Sequence, residues 1–112
     1  MALLFDSPSG SLQASKSGKR LTLHFLNFSL TFTPRSLNKL YTYLQTIDLA
    51  IGLDYPYEKR FEIGFSSFPL KLFFNYYEIT ELIELIEEGL AELEFQCLLK
   101  ETGVSSSSDT VA

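Results

Sequence analysis

The chain has 112 residues, of which 46% are hydrophobic, with one cysteine and a formal net charge of −5 at pH 7. This length is typical of one domain with a substantial core, and a single cysteine excludes both an internal disulfide and a cysteine cage for zinc. Nucleic acid is not an expected partner, because the excess of carboxylates would repel a phosphate backbone.

No segment of the sequence indicates export or insertion into a membrane. The apolar stretch at 1–5 is shorter than the core of a signal peptide and is ended by Asp6. No apolar run approaches the ~20 residues that a membrane-spanning helix requires. Because a free thiol suits a reducing compartment, the chain is expected in the cytoplasm and not on a membrane.

The sequence divides into three regions. Residues 1–18 are predicted to be a partly ordered N-terminal segment, in which 2–5 can form a short edge strand and 11–15 a second strand. Residues 19–102 are predicted to form a single α+β domain. The Ser-rich residues 103–112 are predicted to be a disordered tail.

A change in the parity of the apolar pattern indicates a hairpin. Apolar residues fall on odd positions at 21–25 and on even positions at 28–32. A two-residue loop at Leu26-Asn27 would pair residue 25 with 28, 23 with 30 and 21 with 32, which places all six apolar side chains on one face. It requires a left-handed Leu26, which leucine resists. The alternative is one long strand with a bulge at 26–27.

The strand–turn–strand–helix pattern occurs twice, which predicts an internal ββα duplication. At an offset of forty positions, residues 61–72 align with 21–32, with identities at Phe25/Phe65, Phe28/Phe68 and Leu30/Leu70. If the second copy gains two residues, the helices also align, with Leu37, Leu40, Tyr41 and Leu44 on Ile79, Leu82, Ile83 and Ile86. Ser66-Ser67 would then be the second loop, and this favours the hairpin over the bulge in the first copy.

Start and stop signals frame both helices. Thr33 and Pro34 are typical of an N-cap and a first helical residue, and Gly52 is predicted to end that helix. Asn75 and Glu78 resemble a capping box for the second helix. The predicted fold is a two-layer α+β domain, an antiparallel sheet of four to five strands with two helices on one face, in the order β-β-β-α-β-β-α.

The familiar catalytic and metal-binding constellations are absent from the sequence. His24 and Ser29 would be neighbours across the hairpin, but a triad also needs a carboxylate, an oxyanion hole and a cleft, so a polar surface pair is expected. Cys97 is expected in the core. A solvated face is expected for four carboxylates of the second helix, since metal binding needs a second element: Glu81, Glu84, Glu88 and Glu92. The chain is therefore expected to be no enzyme and to hold no metal or cofactor.

Two groups of residues are candidates for an interface. Phe95 and Leu99 stand roughly opposite the apolar stripe of the second helix, at about 100° per residue, and Leu98 lies between them and the stripe. Such a helix end is expected to be covered, either by residues 2–5 or by a second copy. Tyr55 and Tyr57, in the loop between the helices, are the other candidates, since tyrosine supplies contact area at low entropic cost.

The sequence FLNFSLTFTP at 25–34, with the helix that follows, resembles a small family of uncharacterised bacterial β-β-α domains. In that family a Gly-Asn turn joins two strands and Thr-Pro or Ser-Pro opens a helix. Leu26 replaces the turn glycine here, and the N-terminal Cys/His residues of the family have no counterpart at 11–20. The resemblance spans residues 21–99 and implies a fold without an assigned activity.

These observations predict a small non-catalytic interaction module that forms a homodimer and can have a further protein partner. One alternative is an acidic secretion-type chaperone that binds an extended client segment. Those proteins begin with a helix, which residues 2–15 cannot supply. The other is a small-ligand-binding domain with a pocket near Tyr41, Tyr43 and Tyr77.

Overall fold

A computed structural model describes residues 2–65 and 70–102, and side chains as far as Leu99. Within these residues the elements in chain order are β1 Ala2–Ser7, β2 Gly10–Ala14, β3 Leu21–Phe25, β4 Phe28–Phe32, α1 Pro34–Leu44, a 3-10 turn at Leu49–Gly52, β5 Phe61–Gly64, β6 Lys71–Phe74 and α2 Tyr76–Thr102. The predicted Ser66-Ser67 loop and the predicted tail at 103–112 lie outside the described residues.

The α+β fold with an antiparallel sheet and two helices is confirmed. The strands divide into a four-stranded sheet in the order β1-β2-β3-β4 and a separate β5-β6 hairpin, where the sequence predicted one sheet. Residues 2–7 form the full edge strand β1, with an irregular register between Leu3 and Phe5. An alternating pattern fixes which face of a strand is buried, but it does not say which strand edges pair.

The first hairpin has the predicted register. Leu21 pairs with Phe32, Leu23 with Leu30 and Phe25 with Phe28, so the bulge alternative is wrong. Leu26 has φ +54°, and no other non-glycine residue in the described part of the chain has a positive φ. The first loop residue of a type II′ turn needs this conformation and is usually glycine. The hairpin therefore forms at the cost of a strained leucine.

Leu26→Gly is expected to stabilise the protein by about 1 kcal/mol. A left-handed conformation costs an L-residue roughly 1–2 kcal/mol, and glycine removes this strain. Part of the gain in stability is offset because glycine loses more conformational entropy on folding than leucine does. Leu26 is 44% exposed, so the loss of its partly buried side chain offsets a further part of the relieved strain. Urea unfolding measures the change. In Asn27→Gly, where φ is not positive, we expect no gain, and equal effects of the two changes would contradict the strain at Leu26.

The second hairpin has a longer loop than the sequence alignment predicted. Phe61 pairs with Phe74 and Ile63 with Leu72, so the two extra residues lie in this loop and not before the helix. The alignment of Leu30 with Leu70 is therefore wrong by two positions, and Leu30 corresponds to Leu72. From the second strand onward the offset is forty-two. The buried residues Phe32, Leu37, Leu40 and Leu44 then correspond to the buried residues Phe74, Ile79, Leu82 and Ile86.

Both helices begin at the predicted caps. The Thr33 Oγ1 atom accepts a hydrogen bond from Ser36 N at 3.1 Å. Asn75 Oδ1 accepts from Glu78 N, while Glu78 Oε1 accepts from Asn75 N, each at 2.8 Å, which completes the expected capping box. The helix α1 ends at Leu44 rather than Gly52. Gly52 is instead buried where a Cβ would lie 2.7 Å from the Phe61 ring, so it permits a close approach.

The helix α2 crosses the four-stranded sheet at Gly89. A Cβ at this position would lie 2.3 Å from a methyl carbon of the fully buried Leu12, so the glycine permits a close crossing. Leu85 is also fully buried. The buried arc of α2 is wider than one stripe because the helix packs on β1 and β2 as well as on α1.

Candidate functional site

The helix α2 is longer than the sheet on which it packs. Its 27 residues span about 40 Å, whereas strands of five or six residues span about 17–20 Å. Leu93 packs partly against the core, with its Cδ1 atom 3.7 Å from the Cβ position of Gly18 in the β2–β3 turn. Beyond Leu93 the helix has passed the sheet, and Cys97 is exposed. The prediction of a core Cys97 is therefore wrong.

The last described turns of α2 carry exposed apolar side chains. Phe95 is 56% exposed and Leu98 52%, and Leu99 is half-buried. These three residues, here called the terminal patch, are three and four positions apart and so lie on one side of the helix. Residues 2–5 do not bury Phe95. They belong to β1, where Leu4 enters the core and Leu3 is exposed.

The terminal patch follows a run of acidic residues. Between residues 78 and 94 the helix carries seven carboxylates, at Glu78, Glu81, Glu84, Glu87, Glu88, Glu92 and Glu94. Residues 95–99 carry no charge. The exposed apolar residues therefore lie on an uncharged stretch of α2 between Glu94 and Lys100.

Tyr55 and Tyr57 lie at the opposite end of α2. The Tyr57 ring centroid is 5.2 Å from that of Tyr77 in the first turn, and repulsion between the two phenolates raises the pKa of Tyr77. The Arg60 guanidinium carbon lies 4.6 Å from the Tyr55 ring centroid. Phe95 lies eighteen positions after Tyr77 along the helix, about 27 Å at 1.5 Å per residue. The structure does not bring the two candidate groups together.

A cleft of about 440 Å³ opens between the start of α1 and the end of β5. It is lined by Thr31, Phe32, Thr33, Arg35, Ser36, Lys39, Leu40, Tyr43, Gly64 and Phe65. This cleft was not predicted from the sequence. The local signal for it is the pair Arg35 and Lys39, which lie one turn apart just after the N-cap of α1. The contribution of β5 to the opposite wall depends on the tertiary fold and has no local signal.

The pocket expected near three tyrosines forms only around Tyr43, which lines this cleft. The Tyr41 hydroxyl donates to Glu87 Oε1 at 2.9 Å and accepts from Gln45 Nε2 at 2.7 Å. Burial of the phenol and its contact with the Glu87 carboxylate raise the pKa of Tyr41. The Tyr77 ring packs against that of Tyr57 at an interplanar angle of 48°. Tyr41 and Tyr77 therefore have other partners and do not line the cleft.

His24 and Ser29 are cross-strand neighbours as predicted. Their Nδ1 and Oγ atoms are hydrogen-bonded, and both residues are exposed on the polar face of the hairpin. Among the described residues no carboxylate is hydrogen-bonded to the His24 ring. The geometry is that of a polar surface pair.

Glu81 differs from the other carboxylates of α2. Its oxygens accept hydrogen bonds from Ser7 Oγ at 2.6 Å, from Ser9 N at 2.7 Å and from Ser9 Oγ at 3.1 Å, which ties the β1–β2 turn to the helix. Glu84 and Glu88 are exposed. No group of three or more histidine, cysteine or carboxylate side chains in the described part of the chain could hold a metal ion.

The fold is a two-layer α+β domain in which a ββα unit occurs twice and the second helix extends beyond the sheet. The chain belongs to DUF6686, a family of unknown function, whose family model matches residues 1–102. This confirms the resemblance to an uncharacterised family and extends it to the N-terminal strands. No curated protein and no solved structure matches the chain. None of the described helices is long and apolar enough to cross a membrane.

Proposed function

We propose that this protein is a non-catalytic interaction module that forms a homodimer through the terminal patch. The observation that supports the proposal is the exposure of Phe95 and Leu98 on an uncharged stretch of helix. Monomeric proteins expose scattered apolar side chains, but a group on one side of a projecting helix end is typical of an interaction surface. The patch is exposed because α2 is longer than the sheet on which it packs.

The uncharged stretch at 95–99 allows a second copy to be the occupant despite the acidic charge of the chain. Two copies with a net charge of −5 each repel one another where their carboxylates approach. Residues 95–99 are uncharged, so a contact confined to them would bring apolar side chains together rather than carboxylates. A two-fold axis would place the same patch on both sides of the contact, as isologous dimers require.

The expected dimer is weak. Specific stable interfaces bury about 800 Å² per partner, and three side chains supply only part of that area. We therefore expect a dissociation constant in the micromolar range and exchange between monomer and dimer.

Phe95→Asp is expected to convert the dimer to a monomer. The added carboxylate would face its own copy across the axis in an apolar contact, which costs far more than a surface charge. Analytical ultracentrifugation over a range of concentrations should show a mass of about 25 kDa, twice the 12.7 kDa of the chain, for the unmodified protein and 12.7 kDa for the variant.

Tyr57→Asp is the matched control. It also replaces an exposed aromatic residue by a carboxylate, at a position 78% exposed near the other end of α2, and the dimer should persist. A dimer that survives Phe95→Asp, or a monomer at every concentration of the unmodified protein, would contradict the proposal.

The proposed location is the cytoplasm, and it is supported by an exposed free thiol at Cys97, which suits a reducing compartment. The chaperone alternative gains no support. Secretion-type chaperones of this kind begin with a helix, whereas residues Ala2–Ser7 form a strand.

A further inference from the structure

The cleft beside α1 has an apolar floor. Phe32 and Leu40 are buried beneath it, and the Phe32 and Phe65 ring centroids are 6.3 Å apart. Its volume of about 440 Å³ lies within the range of roughly 300–1,000 Å³ that is usual for small-molecule sites. The floor can therefore cover the apolar body of a small ligand.

The rim of the cleft is cationic in an otherwise acidic protein. Arg35 and Lys39 both line it. Within the described residues neither forms an ion pair, whereas Lys59, Arg60 and Lys71 each pair with a glutamate. No aspartate or glutamate is among the described residues that line the cleft. An anion that enters it meets two positive charges without a competing carboxylate.

Side chains rather than the helix backbone would hold that anion. The N–H group of Ser36 donates to Thr33 Oγ1 and that of Leu37 to the Thr33 carbonyl oxygen, so these donors of the first turn are already in use. The arginine guanidinium presents paired donors that match a carboxylate or a phosphate, and the lysine ammonium adds a second charge one turn further along α1.

We propose that this cleft binds a small organic anion, namely a carboxylate or phosphate group attached to an aromatic or acyl body. The anionic group lies between Arg35 and Lys39, and the apolar body lies on Phe32, Leu40 and Phe65. The site shares no residue with the terminal patch, so it is a second function of the domain and is independent of dimer formation.

The test measures binding of phenyl phosphate and phenylacetate by NMR titration of the backbone amides of the full chain. The two probes share a body and differ in the anionic group, so their relative affinities identify the preferred group. Inorganic phosphate supplies an anion without a body, and benzyl alcohol a body without an anion. We expect at least one organic anion to shift amides at residues 31–40 and 64–65, and to bind at least tenfold more tightly than inorganic phosphate or benzyl alcohol.

The variant Arg35→Gln/Lys39→Gln should weaken this binding at least tenfold. Both side chains are exposed, so the variant will fold. The control Lys16→Gln/Lys19→Gln removes the same charge from residues that do not line the cleft, and its affinity should stay within twofold of the unmodified protein. Equal losses in the two variants, shifts elsewhere in the chain, equal binding of inorganic phosphate, or no binding of either organic anion would overturn the proposal.

Discussion

Replacing Phe25 by alanine will lower the free energy of unfolding by about 3–5 kcal/mol. Phe25 is 1% exposed, and its ring makes edge-on contacts with Phe28 and Phe74 at centroid distances of 6.1 and 6.0 Å. Phe28 belongs to the four-stranded sheet and Phe74 to the second hairpin, so the truncation leaves a cavity where the two sheets meet. Because domains are stable by only about 5–15 kcal/mol, this change removes a large part of the total.

Urea unfolding followed by circular dichroism measures this effect, and the control is Phe73→Ala. Phe73 is 52% exposed and points away from the core, next to the buried Phe74 on β6. Its removal should cost less than about 1 kcal/mol, as most surface substitutions do. If the two alanine variants were equally destabilised, Phe25 would not be the residue that joins the two sheets.

Gly10→Ala is expected to destabilise the protein by about 3 kcal/mol. A Cβ on Gly10 would lie 2.2 Å from the His24 carbonyl oxygen and 2.9 Å from a ring carbon of Phe25. Overpacking of a well-packed site costs typically 1–3 kcal/mol. We expect the upper end of this range because the closest atom is a backbone atom of β3. This strand is paired with β2 on one side and β4 on the other, so its backbone cannot move away.

Gly64→Ala supplies the comparison for this glycine. Gly64 is also in a strand, and no described atom lies within 4 Å of its Cβ position. Alanine there restricts the unfolded chain and should stabilise the protein by about 0.4–1 kcal/mol. Thermal unfolding of the two variants should therefore show shifts of opposite sign. A stable Gly10→Ala protein would show that β2 and β3 do not approach as closely as described.

The period of two that defines a strand explains why one hairpin was predicted correctly and the other was not. A slip of one residue would turn every side chain to the other face, so the parity change at Leu26-Asn27 fixed the register of the first hairpin. A slip of two residues keeps every side chain on its face. The sequence therefore could not distinguish a partner at Leu70 from one at Leu72 for Ile63, and the structure selects Leu72.

The sequence predicted the terminal patch, which lies on a single helix, but not the cleft, which two elements form together. The angular positions of Phe95 and Leu98 on α2 follow from helical geometry, and both are exposed. The same geometry placed Cys97 in the core, because a helical projection does not show where the sheet beneath it ends. The cleft combines α1 with β5, and the Glu81 bonds join residues 74 and 72 positions apart. No local pattern encodes such contacts.

The contacts between α2 and the β1–β2 turn join the two ends of the described chain, and this bears on the order in which the domain folds. During synthesis the four strands of the first sheet leave the ribosome well before α2, which covers Leu12 and supplies Glu81. Until that helix emerges, α1 can cover only the part of the sheet near β4, and Leu12 has no cover. Such exposed apolar surface is prone to aggregation. Contacts so distant along the chain also slow folding. The four-stranded sheet therefore becomes fully covered only after α2, the last described helix, has been synthesised and has packed on β1 and β2.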